Sequence, residues 1–400
     1  MNLPLRIALR HLKAPQKAGF TRYAGAMAIV GLGLGIAALV LTFSILNGFE
    51  RTLSNKLTEF DGHIRVEHFM DAPVLQNDPL LDSAMSQIMV PFQSLEYIQK
   101  PAILRRGQQA EGVIVEAYSE FNEIPGLNTR LVRGNLNSGD GIIIGQELAT
   151  KLDLDINDQL VLFDISNLHQ VSSNRRMGQY VIIGIYHSGL QEYDETMVYI
   201  TLTAAQRLFG MEDKVTGQVL FLTDVSDVKA VAEHLENYLG YPYFVLTWLE
   251  KHRILFEWLS VQKWPILIIF GMIALVGVVN IISALAMIVI EKIREIGILK
   301  SMGLSRKTIR KVFLIEGGII GLAGSGGGAL IAVIIAWVQH RFQILTIPEE
   351  VYFMDHVPVY LDIGTVSIFI VAGVVAALAA ALWPTNKAAA INPAGAVRYE

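Results

Sequence analysis

Four long stretches of the chain contain no charged residue, and they restrict its fold more than any other feature. Each exceeds the roughly 20 residues that a helix needs to cross about 30 Å of hydrocarbon. They lack the alternation of barrel strands, and buried helices of soluble proteins have shorter apolar runs of about 10–14 residues. We therefore predict four membrane-spanning helices, in keeping with 52% hydrophobic and 17% charged residues. The stretches are Tyr23–Phe49, Trp264–Ile290, Gly317–His340 and Ile363–Asn386.

The first stretch has the position of a secretory signal peptide but not its form. Its apolar core is longer than the roughly 7–15 residues of a signal sequence, and 22 mostly polar residues precede it. We therefore expect a retained signal-anchor helix.

The distribution of Lys and Arg predicts the orientation of the spans. Residues 1–22 hold five of them, and the short loop 291–311 holds seven. The segment 50–263 holds only 17 in more than 200 residues. Because short cytoplasmic segments are rich in basic residues, we expect both termini and the loop to face the cytoplasm and the long segment to lie outside. We place Pro265 in the first turn of the second span, where a helix tolerates proline.

The segment between the first two spans predicts an α+β domain. Strand-like alternation, as in residues 110–118 and 179–186, is interspersed with helical patterns such as residues 225–239. Phe49–Phe60 continues the first span as a helix, and residues 247–262 predict an amphipathic helix that leads into the second span. Glu192–Glu195 is expected to be a solvated loop.

These observations predict a four-helix membrane protein with a large α+β periplasmic domain inserted between helices 1 and 2. The predicted segments are a cytoplasmic N-terminal segment 1–22, helix 1 at 23–49, the periplasmic domain at 50–262, helix 2 at 264–290, a cytoplasmic coupling loop at 291–311, helix 3 at 312–340, a short periplasmic loop at 341–362, helix 4 at 363–383 and a cytoplasmic tail at 384–400.

Motifs for catalysis and for nucleotide or metal binding are missing from the sequence. It has no cysteine, no H-E-x-x-H and no G-x-x-x-x-G-K-[ST]. We expect no catalytic residue, no metal site and no cofactor on this chain. The glycines at 31–35 and 324–328 lie inside spans, which indicates close helix packing rather than phosphate binding. We find no ionisable side chain deep in a span, which argues against an ion-coupled carrier.

Three short segments carry a resemblance to a known family. Residues 287–305 (MIVIEKIREIGILKSMGLS) resemble the inner loop of the MacB/FtsX-type (type VII) ABC transporter permeases. Asn47-Gly48-Phe49 and the closing residues 392–400 (NPAGAVRYE) are similar to the lipoprotein-releasing LolC/LolE/LolF branch. The order of one span, a large domain and three further spans matches along the whole chain.

The resemblance implies a permease that extracts lipoproteins from the bacterial inner membrane and passes them to a LolA-like periplasmic carrier. It implies that ATP and Mg bind a separate, LolD-like ATPase subunit, and that a second permease copy or a paralogue completes the complex. Membrane lipids are expected partners, and nucleic acid is not.

The resemblance also directs attention to three sets of residues. Residues 291–302 form a charged amphipathic helix that, by itself, suits the membrane surface as well as a partner; the resemblance implies a coupling helix seated in the ATPase. The loop 166–178 corresponds to a carrier-binding loop but lacks the proline associated with that role, so carrier binding stays open. The residues are Glu295, Ile298, Leu299, Lys300 and Gly303 for ATPase coupling, Phe43, Leu46 and Phe49 for a lipoprotein cavity, and Arg175, Arg176 and Met177 for the carrier.

Two other functions are compatible with parts of the sequence. A mechanotransmitting permease for peptide or toxin efflux, or for control of a cell-wall hydrolase, would share the fold and the ATPase. A membrane-anchored receptor would share the outer domain but leave the basic inner loop unexplained.

Overall fold

The structure, a computed structural model, describes residues 19–136, 139, 141–166, 176–348 and 354–390, together with residues 6 and 8. The chain divides into two units. We call the first the helical unit; it comprises Met1–Glu50, Glu257–Thr346 and Val357–Glu400. The second, the α+β unit, comprises Arg51–Phe256 and Ile347–His356. The closing segment 392–400, which contributes to the family resemblance, lies outside the described residues.

The first helix, α1 (Gly19–Asp61), begins in the helical unit and ends in the α+β unit. Its last turns carry Leu53, Leu57 and Phe60 at helical spacing, and all three are buried. The predicted helical continuation of the first span is thus confirmed.

The α+β unit contains most of the remaining secondary structure. Its strands are β1 (Ile64–His68), β2 (Val74–Leu75), β3 (Phe92–Arg106), β4 (Gln109–Tyr118), β5 (Leu131–Gly134), β6 (Ile142–Gly145), β7 (Gln159–Asp164), β8 (Met177–Tyr186), β9 (Met197–Thr201), β10 (Lys214–Val215), β11 (Gly217–Leu222) and β12 (Tyr243–Thr247). Its helices are α2 (Pro79–Ser86), α3 (Pro125–Arg130), α4 (Gln146–Lys151), α5 (Gln191–Thr196), α6 (Leu202–Phe209), α7 (Val228–Leu239) and α8 (Trp248–Lys251).

Six strands form a closed ring of hydrogen-bonded pairs. β3 pairs with β4 and β7, β7 pairs with β8, β8 with β6, β6 with β9, and β9 with β4. β5 pairs with residues 184–186 of β8, beyond the residues of β8 that pair with β7. Alternation places Val113, Val115 and Ala117 of β4 in the apolar core, as the sequence pattern predicts. Closing the ring leaves these six strands without a free edge.

The long strand β3 also belongs to a second, open sheet. Its first half pairs with β11, and the order continues to β1 and β12, all antiparallel. α7 contacts β12 and α2, and both helices contribute buried side chains such as Leu81 and Leu235. The predicted α+β class of this insertion is confirmed.

The helical unit continues with α9 (Arg253–Glu291), α10 (Ile293–Ser301), α11 (Arg306–Phe342) and α12 (Ile363–Ala390). Of the described helices, α1, α9, α11 and α12 are long and apolar enough to cross a membrane. Four spans, with the α+β insertion between the first and second, are therefore confirmed. The placement of Pro265 in a first turn is wrong, because α9 begins about three turns earlier and encloses this proline.

A short hairpin joins α11 to α12. The amide of Gln339, in α11, donates to the carbonyl oxygens of Leu345 (3.1 Å) and Val357 (3.2 Å) and accepts from the Leu345 N–H (3.0 Å). A single buried side chain thus fixes both ends of the hairpin.

Candidate functional site

The connector between the second and third spans, Lys292–Ser305, is the first candidate site. α9 ends at Glu291, and α10 follows after Lys292 leaves the helical conformation (φ −93°, ψ 9°). α10 then ends in a turn at Gly303, whose φ of +94° favours glycine. The Ser305 hydroxyl caps α11 by accepting from the Thr308 N–H (3.2 Å). The connector is therefore a short helix, followed by a glycine turn that leads into the capped start of α11.

One face of α10 is buried against the chain's own helices. Ile296 lies in the same apolar cluster as Ile288, Phe313 and Ala388, which come from α9, α11 and α12. Lys300 Nζ donates to the carbonyl oxygen of Ala389 (2.8 Å), in the last turn of α12. A cation beside the carbonyl groups of the last turn of a helix is stabilised by the helix dipole. α10 is thus attached to the other helices of this unit.

The opposite face of α10 is exposed and combines charge with apolar surface. Ile298 is 47% exposed and Met302 is 79% exposed, and they lie four residues apart on one side. Glu295 accepts from Lys292 Nζ at 2.6 Å beside them. Exposed large apolar side chains bordered by charges are typical of a surface that binds a partner.

The structure divides the five predicted coupling residues between these two faces. Glu295, Ile298 and Gly303 are exposed, whereas Leu299 and Lys300 are half-buried. Partial burial lowers the pKa of Lys300, and the positive charge of Arg306 makes a smaller contribution in the same direction. Sequence reasoning missed Met302, although its spacing from Ile298 gave a signal.

The predicted cavity residues Phe43, Leu46 and Phe49 are all half-buried in α1. The Phe43 ring packs edge-on against Phe369 of α12, with 5.1 Å between centroids. At least one of the three therefore has an intramolecular packing role. Their contact with cargo stays a prediction.

Gly48, in the Asn-Gly-Phe segment, allows a close approach of the chain. A Cβ at this position would lie 2.5 Å from the Pro358 carbonyl oxygen. The Tyr360 N–H donates to the Ser44 carbonyl oxygen nearby (2.9 Å). The glycine is needed here because a side chain would push residues 358–360 away from α1.

The glycines inside the spans bring helix backbones together. A Cβ at Gly328 would lie 2.2 Å from the Gly33 carbonyl oxygen, and one at Gly35 would lie 2.6 Å from Ala274 Cα. By contrast, Gly326 and Gly327 face open space. The predicted packing role is thus confirmed for some of these glycines.

The predicted carrier loop is described only at its ends. β7 and β8 form a hairpin through the pair Phe163–Met177, and Asp164 N–H donates to the Arg176 carbonyl oxygen (3.0 Å). Arg176 and Met177 are exposed. Arg175 lies outside the described residues, and carrier binding stays a prediction.

The expectation for the acidic segment 192–195 is wrong. Residues 192–195 are part of helix α5 rather than a solvated loop, and the buried Asp194 accepts from the N–H groups of Ser188 (2.8 Å) and Gly189 (3.2 Å). Burial raises the pKa of Asp194, and these hydrogen bonds oppose the rise. Glu316, near the start of the predicted third span, is fully buried; the lack of an ionisable side chain deep in a span stays a prediction.

The fold and the connector define a class of protein, the multi-pass membrane permeases with a large domain between the first two spans. The FtsX-like permease C-terminal model matches residues 267–393, and the MacB-like periplasmic core domain model matches residues 26–238. The chain therefore belongs to the MacB/FtsX-type family of ABC transporter permeases, as its inner loop predicted.

Similar proteins match over nearly the whole chain. The lipoprotein-releasing system transmembrane protein LolC of Xylella fastidiosa (strain 9a5c) is 28% identical over 100% of this chain and 99% of its own length. LolC of Neisseria meningitidis serogroup B is 25% identical over 98% of both chains. LolE of Haemophilus influenzae, also named as a lipoprotein-releasing system transmembrane protein, is 23% identical over 98% of this chain and 99% of its own.

Proposed function

We propose that this chain is the permease subunit of an ABC transporter that extracts lipoproteins from the inner membrane and passes them to a periplasmic carrier. The observation that carries this proposal is the end-to-end similarity to LolC and LolE proteins, which are named as transmembrane components of lipoprotein-releasing systems. The efflux and hydrolase-control functions have no comparable observation in their favour.

The energetics of the cargo explain why such a permease needs an energy source. Each buried methylene contributes about 0.8 kcal/mol to membrane anchoring, so three long acyl chains amount to tens of kcal/mol. Spontaneous release is too slow at this scale. An apolar acceptor outside the membrane and a driven conformational change are both required.

ATP hydrolysis is assigned to a separate LolD-like subunit that binds ATP and Mg. In this proposal the exposed face of α10, with Glu295, Ile298 and Met302, seats in that subunit. The mixed apolar and charged character of this face supports the assignment. A second permease copy or a paralogue completes the transporter, and exposed Met177 contributes to a carrier contact.

The proposal places the chain in the bacterial inner membrane with both termini in the cytoplasm and the α+β unit in the periplasm. The seven basic residues of the loop 291–311 support this orientation. α10 then lies on the side where ATP is available.

Reconstitution tests the function directly. The chain is purified with its associated proteins from inner membranes, and mass spectrometry identifies the ATPase and any paralogue. The complex is placed in proteoliposomes with a triacylated lipoprotein and a LolA-like carrier. We expect ATP to transfer the lipoprotein to the soluble carrier, and a non-hydrolysable ATP analogue to leave it in the membrane.

Other outcomes would contradict the proposal. Export of an unlipidated peptide by the same vesicles would favour the efflux function. Purification with a cell-wall hydrolase, and without lipoprotein transfer, would favour the control function. A chain that carries no ATPase through purification would support a receptor instead.

A further inference from the structure

The last residue of α1, Asp61, is a buried carboxylate that four side chains contact. Arg65 Nη2 (3.0 Å) and Lys251 Nζ (2.6 Å) donate to Oδ1, and His252 Nε2 lies 2.6 Å from Oδ2. The Tyr193 hydroxyl donates to Oδ2 as well. A buried carboxylate is stable only when it is paired and hydrogen-bonded, and Asp61 satisfies both conditions.

These partners come from separate parts of the α+β unit. Arg65 lies on β1 and Tyr193 on α5, whereas Lys251 ends α8 and His252 stands between α8 and α9. α1 therefore ends, and α9 begins, at the same carboxylate.

The turn that carries Lys251 and His252 is itself fixed. The Thr247 hydroxyl accepts from the Glu250 N–H (3.2 Å), and the Glu250 carboxylate accepts from the Thr247 N–H (2.9 Å), which is a capping box. The His252 carbonyl oxygen accepts from the N–H groups of Leu255 and Phe256. The contacts with Asp61 thus reach the first turn of α9 through a stiff segment.

A second carboxylate extends the network into the closed ring of strands. Arg65 Nη2 also donates to Glu116 Oε1 of β4 (2.7 Å), and the Tyr118 hydroxyl donates to the same oxygen (3.0 Å). Burial opposes the charge of Arg65, but Glu116 and Asp61 together raise its pKa well above the usual value. Two carboxylates are therefore balanced by the two cations Arg65 and Lys251.

We propose that Asp61 is a positioning residue for transport, which fastens the end of α1 and the start of α9 to each other and to the strands of the α+β unit. A movement of α1 or α9 then displaces the α+β unit as a whole, because the ends of both helices are fixed to its strands. The inference rests on the proposed function, since it names the residues through which work done at the ATPase passes to the α+β unit.

Partial exposure makes two of the partners suitable for testing. Lys251 and His252 are 26% and 18% exposed, whereas Asp61 is 1% exposed. Removing Asp61 itself risks unfolding, because Arg65 and Lys251 would lose their counter-charge. The double substitution Lys251→Met with His252→Ala separates the α8 turn from Asp61 and leaves the Asp61–Arg65 pair in place. His252→Gln alone keeps a donor beside the carboxylate and is the conservative control.

The first measurement is hydrogen exchange in the full-length protein without nucleotide. We expect the double variant to exchange amides of residues 57–61 and 249–256 at least tenfold faster, while β3 and β4 keep their protection. Unchanged exchange in these two segments would overturn the fastening, whatever the chain transports. Faster exchange throughout the unit would indicate a general structural role and would also overturn it.

The second measurement is the amount of lipoprotein released per ATP hydrolysed by the reconstituted complex. We expect the double variant to hydrolyse ATP within about twofold of the wild type and to release at least tenfold less lipoprotein per ATP. His252→Gln should retain most of the wild-type ratio. A wild-type ratio in the double variant would refute the proposal, whereas a wild type that releases no lipoprotein would refute the proposed function instead.

Discussion

Each of the two units of this chain is stabilised internally by a different kind of interaction. In the helical unit, backbones come close at glycines, as at Gly328 and Gly33. In the α+β unit, a network of buried charges around Arg65 links strands and helix ends over an apolar core. Lipid gives helices no hydrophobic reason to associate, so close packing matters most there. In the water-exposed unit the core is already driven by the hydrophobic effect.

Each unit is therefore expected to be sensitive to a different kind of substitution. The helical unit should be damaged by added volume at a glycine. The α+β unit should be damaged by removal of a fully buried charge, such as that of Arg65, from a balanced group. Substitutions of each kind, with controls in the same unit, test whether this difference in sensitivity holds.

The largest effect is expected for Arg65→Met. The variant leaves Asp61 and Glu116 buried with only Lys251 in compensation, which costs about 3–5 kcal/mol of unfolding free energy. Since 1.4 kcal/mol corresponds to a factor of 10, the protection of β4 amides in the full-length protein should fall about a hundredfold or more. Arg133→Met is the control, because its ion pair with Asp155 (3.0 Å) is exposed and contributes about 0–1 kcal/mol. Equal losses of protection in the two variants would show that the buried network around Arg65 stabilises the unit no more than an exposed ion pair does.

A somewhat smaller loss is expected for Gly328→Leu. Its Cβ would lie 2.2 Å from the Gly33 carbonyl oxygen, so α1 and α11 must separate. Overpacking of this kind costs about 3 kcal/mol. The thermal stability of the detergent-solubilised protein should fall, whereas Gly327→Leu, which meets open space within the chain, should change it little. A stable Gly328→Leu variant would show that the helices tolerate separation.

The same contrast explains what the sequence could predict. Span number, the inserted domain and the helical continuation of α1 follow from hydrophobic length and periodicity, which are local properties. The glycine contacts were predictable in kind because small residues in spans indicate close packing. Which glycines make contact was not, since it depends on the crossing points of helices far apart in sequence.

The Asp61 network could not be predicted because its partners are distant in the sequence. Lys251 is 190 residues away from Asp61, and neither belongs to a recognisable motif. No local signal in the sequence pointed to Glu116, because the alternation of β4 places it on the face opposite Val115 and Ala117. An acidic residue on that face is expected to be exposed, whereas Glu116 is fully buried. Asp194 was misassigned for the same reason, because the Ser188–Gly189 backbone that buries it is not visible in local composition.

Within the helical unit, substitutions on the two faces of α10 are expected to affect different properties, release on the exposed face and stability on the buried face. Ile298→Asp changes an exposed side chain, so we expect less than about 0.5 kcal/mol of destabilisation. If this face binds the ATPase, loss of an apolar anchor should lower ATP-driven lipoprotein release at least tenfold. Ile296→Asp, on the buried face, should instead lower thermal stability. Normal release by a stably folded Ile298→Asp variant would exclude this face as the coupling surface.

The smallest effect is expected for Lys300→Met, which tests whether the charge of Lys300 belongs to the exposed, ATPase-binding face of α10. Lys300→Met removes the hydrogen bond to the Ala389 carbonyl oxygen and should cost about 1 kcal/mol in a half-buried position, measured as a small fall in thermal stability in detergent. Lys307→Met, at an exposed site, should change stability by less than about 0.5 kcal/mol. ATPase binding by the Lys300 variant should remain near wild type, because this side chain contacts its own chain. A Lys300→Met variant that is fully stable but no longer binds the ATPase would contradict this prediction. It would show that Lys300 contacts the ATPase, and that its charge acts through this partner rather than through packing within the helical unit.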